Sequence, residues 1–85
     1  MSEKNGYHIK NIQKGTIGEI SKIQEELDEL LDAKEQGSKI MELVELSDLI
    51  GAIELYLEKY HSDIDIQDLI KMSNITKRAF KNGHR

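Results

Sequence analysis

Apolar residues along this chain recur at helical spacing, and nowhere do they alternate as a half-buried strand would. Ile20, Ile23, Leu27, Leu30 and Leu31 mark one stripe. From Ile40 to Tyr60 apolar positions (Met41, Val44, Leu49, Ile53 and Leu57 among them) cover most of a second helix's circumference, as befits a central or subunit-facing helix. Ile66, Leu69, Ile70, Ser73 and Phe80 define the inner face of a third. The punctuation agrees with this division. Thr16 and Glu19 have capping-box spacing, Gly37 can stop a helix in the left-handed region, Ser38 can cap the next, and Asp65 can cap the last, with Ile64 and Leu69 placed as a hydrophobic staple. Gly83 suits the final stop. The pattern predicts an all-α single domain with helices over about 17–36, 39–60 and 66–82, a helical hairpin plus a third helix. Residues 1–15 read as a polar loop or arm from which Tyr7, Ile9 and Ile12 could pack on the body.

At 85 residues the chain has a thin core of its own, and the wide apolar arc of the second helix is more than it can cover. A homo-oligomer, dimer or tetramer, is therefore expected, assembling into a helix bundle. No apolar run is long enough to span a bilayer and no leader pattern opens the chain, so no membrane role and a cytoplasmic location are expected. With no cysteine there is neither disulfide nor thiolate metal site, and a net charge of -4 speaks against broad nucleic-acid binding.

The charge is uneven. Twelve acids lie between Glu19 and Glu58, whereas from Leu69 onward there are none, and Lys71, Lys77, Lys81, Arg78 and Arg85 are basic. Glu26 with Glu29, and Glu45 with Asp48, are two acid pairs three residues apart, each on one helical face. Antiparallel helices joined by a short turn can set these pairs opposite each other, where a hard divalent cation such as Mg²⁺ or Mn²⁺ would relieve their repulsion. The spacing alone arises readily by chance in a chain with 16 acids. Position strengthens it, because Glu45 projects into the apolar arc and an isolated buried carboxylate needs a partner. That partner is either a metal or a lysine, Lys22 or one from the tail. Glu25, Asp28 and Asp32 read as solvated-face acids, Glu25 being the one possible exception. On the third helix Asn74, Lys77, Arg78 and Lys81 could bind phosphate oxygens if that helix packs beside the acids, with Lys22 as a further donor. Their alternative is ordinary cation placement near a helix C-terminus. His8, His61 and His84 show no spacing that suggests a ligand set.

The run Glu25-Glu26-Leu27-Asp28-Glu29, followed by Glu45-Leu46-Ser47-Asp48-Leu49-Ile50-Gly51-Ala52, resembles the MazG-like branch of the all-α nucleoside triphosphate pyrophosphatases, whose signature is EE-x-x-E and then E-x-x-D. The likeness extends over roughly Lys14 to Tyr60, and the ending from Arg78 to Arg85 is similar to that of small, often phage-encoded members. It implies a helical subunit that dimerises or forms a dimer of dimers. It also implies Mg²⁺-dependent hydrolysis of a nucleoside triphosphate, ribo or deoxy, to the monophosphate and pyrophosphate. Carried over by position, Glu26, Glu29, Glu45 and Asp48 are the implied metal ligands. Glu25 and Glu26 are the implied catalytic acids, Glu25 orienting water or a second cation. A non-catalytic helical module that binds a nucleotide or a protein is the competing expectation.

Overall fold

The computed structural model describes residues 8–83; Tyr7, His84 and Arg85, noted above, lie outside them. Three helices are present, α1 (Ile20–Gln36), α2 (Lys39–Tyr60) and α3 (Ile66–Lys81), with no strand among the described residues. The all-α expectation therefore holds.

Local chemistry explains most of the boundaries. Gly37 adopts φ 75° and its N–H bonds the Lys34 carbonyl, closing α1 in a conformation that a side chain would strain. Ser38 then caps α2, its hydroxyl accepting the Met41 N–H at 3.2 Å. Asp65 and Asp68 form a reciprocal capping box at the start of α3. The box expected from Thr16 and Glu19 does not form, and α1 begins at Ile20 instead of residue 17. The Glu19 carboxylate is drawn across to α2, where it pairs with Lys59 and accepts the Tyr60 hydroxyl at 2.6 Å. A tertiary ion pair has taken the side chain that local capping would have used.

α1 and α2 form an antiparallel hairpin and supply most of the packing. α3 meets only α2, and no α3 Cα comes within 8 Å of α1. The radius of gyration is 14.8 Å, against about 12 Å for a compact domain of this length. The projecting α3 accounts for the difference: none of its residues is buried, and Ile70, Met72, Ile75 and Phe80 are exposed. The wide apolar arc of α2 is likewise uncovered within one chain, with Ile40, Leu43, Val44, Leu46 and Ile50 open to solvent. The seam between α1 and α2 buries Ala33 and Ala52.

Candidate metal centre

That seam is unusual in what it buries. Ala33, Ala52 and Leu57 are the buried apolar residues among those described, whereas His8, Glu25, Glu26, Asp32 and Glu45 are the buried polar ones. A small domain has little stability to spare, and carboxylates buried in such number cost it stability unless they are paired.

The two acid pairs meet as their spacing predicts. Glu26, Glu45 and Asp48 each place a carboxylate oxygen within 4.8 Å of the others'. Glu25, Glu26 and Glu29 do the same along α1, and His8, Glu29 and Glu45 form a third such group at the inner end. All four implied ligands therefore belong to one continuous cluster. Asp48 is its exposed member, beside an open cleft of about 450 Å³ that is also lined by Lys22, Glu26, Ile17 and Leu55.

The electrostatics are those of a site short of positive charge. Glu45 is fully buried, and neither of its oxygens has a hydrogen-bond partner; Glu26 Oε1 is buried in the same condition. Burial, then the charges of Glu26 and Glu45, push Glu29 up to about 8, so that it carries a proton at neutral pH. Glu45 is also held above the ordinary carboxylate range. Burial is the main cause and the charges of Asp48 and Glu26 add to it, against an opposing pull from Glu29 and His8. Oxygen donors in this number, two of them acids forced toward the neutral form, match the needs of a hard divalent cation.

Asp32, read as solvated from the sequence, is buried, and so is Glu25, the possible exception among those acids. Glu25 accepts the Gly15 N–H at 2.8 Å and the Lys22 ammonium at 3.1 Å. Burial raises its pKa, but these bonds outweigh burial and hold the carboxyl below its usual range. The approach requires a glycine: a Cβ on Gly15 would lie 2.1 Å from the Ser21 carbonyl oxygen. Lys22 also reaches Glu26 at 3.3 Å, so it sits among the acids at the cleft. Asp32, placed on the outer face by its helical phase, is completely buried. Its Oδ2 receives His8 Nδ1 at 2.8 Å, the Ile9 N–H at 3.1 Å and the Gln36 amide at 3.0 Å.

His8 is the residue that sequence reasoning missed. The irregular strap before α1 folds back over the hairpin and inserts this side chain, 6 % exposed, into the cluster. Its Nε2 lies 3.1 Å from Glu45 Oε2 and 3.9 Å from Glu29 Oε1. No motif spacing links position 8 to the helices. The available signal was the pairing of a histidine with apolar Ile9 and Ile12 in an otherwise polar arm.

Asn74, Lys77, Arg78 and Lys81 are not brought to the acids. They are exposed on α3, which has no contact with α1 in the single chain. Asp28 lies on the outer side of α1 and accepts the Gln24 amide at 2.9 Å, as a surface acid does.

No known protein family, curated protein or solved structure matches this chain.

Proposed function

We propose that the protein is a Mg²⁺-dependent nucleoside triphosphate pyrophosphohydrolase of the MazG-like kind. The observation that carries this reading is the convergence of Glu26, Glu29, Glu45 and Asp48 across the hairpin, with Glu45 completely buried among them. These are the positions at which the resemblance puts metal ligands, and their environment is one that a cation would complete.

The reaction is attack of water on the α-phosphorus, giving the nucleoside monophosphate and pyrophosphate. A divalent ion supplies polarisation of the α-phosphoryl group, a bound water of lowered pKa and charge neutralisation on the departing pyrophosphate. The chain's residues have separate tasks. Glu26 and Asp48 line the cleft and would hold the cation there. Glu25, kept ionised by Lys22 and the Gly15 N–H, orients the attacking water, with Glu26 beside it. Among the described residues, Lys22 is the cation that lines the cleft and would meet the phosphates. The cleft volume lies within the range of small-molecule sites, and Ile17 and Leu55 offer an apolar wall for a base.

The remaining donors come from a second subunit in this proposal. The uncovered apolar residues of α2 and α3 favour a dimer or tetramer, in which Asn74, Lys77, Arg78 and Lys81 of one subunit reach the cleft of another.

A screen for pyrophosphate release across ribo- and deoxynucleoside triphosphates in millimolar Mg²⁺ tests the function. Turnover should be abolished by EDTA and lowered about a hundredfold or more in Glu26→Gln. If no triphosphate is hydrolysed although Mg²⁺ binds, the protein is a nucleotide- or partner-binding module and not an enzyme.

A further inference from the structure

The inner end of the cluster differs in chemistry from the cleft end. The cleft end offers only carboxylate oxygens, whereas the inner end adds an imidazole. We propose that His8 is a nitrogen ligand, oriented by Asp32, which with Glu29 and Glu45 makes a second cation position that takes a first-row transition ion of the Mn²⁺, Fe²⁺ or Co²⁺ type in preference to Mg²⁺. The proposal rests on the metal reading given above and extends it to a site of different selectivity.

Three observations support it. Asp32 is the first. It is completely buried, and its Oδ2 accepts from His8 Nδ1, the Ile9 N–H and the Gln36 amide. An acceptor 2.8 Å from Nδ1 requires the ring proton there. In the neutral ring the lone pair is then on Nε2, which faces the Glu45 and Glu29 oxygens at 3.1 and 3.9 Å. A carboxylate that fixes the tautomer and direction of a metal-ligating histidine is a recurrent arrangement, and here it is built before any ion arrives.

Glu45 is the second. Both of its oxygens are buried without a hydrogen-bond partner, and it belongs to both the His8–Glu29–Glu45 group and the Glu26–Glu45–Asp48 group. One carboxylate with two such oxygens can serve both positions, one oxygen to each. The third observation is the strap. Ile9 N–H bonds Asp32 and Lys10 bonds Glu35 at 2.7 Å, so the two residues that follow His8 fasten the strap to α1. Imidazole binds Fe²⁺, Co²⁺ and Zn²⁺ far better than Mg²⁺, which accepts oxygen almost exclusively, so a nitrogen at this end sets the selectivity.

Pulsed EPR of the whole chain loaded with Mn²⁺ reads nitrogen coordination directly. Wild type should show ¹⁴N modulation from one imidazole, replaced by a ¹⁵N pattern when histidine is ¹⁵N-labelled. His8→Gln should lose the modulation while still binding Mn²⁺ at the carboxylate position. Asp32→Asn should weaken Mn²⁺ or Co²⁺ binding about 10- to 100-fold and leave Mg²⁺ affinity unchanged, with far-UV circular dichroism reporting that both variants fold. Bound Mn²⁺ without nitrogen modulation in wild type would overturn the proposal and leave the carboxylate site standing. Absence of any Mn²⁺ binding would overturn both.

Discussion

Replacing Glu29 with glutamine should stabilise the metal-free protein, and the gain should grow as pH rises. In the folded chain burial and the charges of Glu26 and Glu45 push this carboxyl from 4.5 up to about 8. Each unit of that rise costs about 1.4 kcal/mol, giving an unscreened bound on the order of 5 kcal/mol. Solvent reaching the partly open side chain, and charge shared with Glu45, reduce the expected cost to about 2 kcal/mol. The folded pKa lies above the unfolded one, so the group's contribution is intact below about 4.5 and is lost as pH climbs through about 8. Glutamine has no proton to lose and keeps the side chain's shape. Thermal melts of both proteins in EDTA, from pH 4.5 to 8.5, provide the assay. The curves should coincide at the acid end and separate to about 8–16 °C in favour of Glu29→Gln at pH 8, given about 4–8 °C per kcal/mol for a domain of this size. Equal or lower stability of the variant at pH 8 would mean that the cluster is neutralised by its own cations, and the reasoning would fail.

Lys22→Met removes the ammonium that touches Glu25 and Glu26; Mg²⁺ binding by calorimetry should tighten several-fold while nucleotide turnover falls, and weaker Mg²⁺ binding would contradict the placement of charge. Gly15→Ala puts a Cβ against the Ser21 carbonyl and should cost about 1–3 kcal/mol in denaturant unfolding, with a tolerated alanine refuting the close approach. Light scattering should find a dimer or tetramer at low micromolar concentration, since Ile40, Leu43, Met72 and Ile75 are otherwise bare; a stable monomer would exclude shared clefts.

Helix boundaries were legible where a cap had no competing use. Ser38, Gly37 and Asp65 act where their local chemistry puts them, because nothing distant wants those groups. Thr16 and Glu19 fail as a cap because Lys59 and Tyr60, forty residues away, offer Glu19 a better partner. The four converging acids were legible for a similar reason: helical phase and a short turn decide their meeting. Asp32 was misread since phase distinguishes faces of a helix but not what covers them. Its outer face is roofed by the strap that carries His8 and Ile9, and a segment without periodicity announces no such contact. The third helix shows the same limit from the other side. Its amphipathic stripe is real, yet apart from its contact with α2 it stays open within one chain, and periodicity alone does not say what it faces.

The central claim is that Glu45 is a carboxylate waiting for a cation and not one half of a finished salt bridge. Paired melts of wild type and Glu45→Gln, in EDTA and in excess Mg²⁺ or Mn²⁺, test it most directly. The account predicts that the metal-free variant is as stable as wild type or more so, since one charge leaves the company of Glu26 and Asp48. It also predicts that the cation raises the melting temperature of wild type strongly and that of the variant little. A metal-free variant destabilised by a few kcal/mol, together with a wild type whose melting temperature ignores both cations, would make Glu45 the structural partner of His8 and contradict the claim.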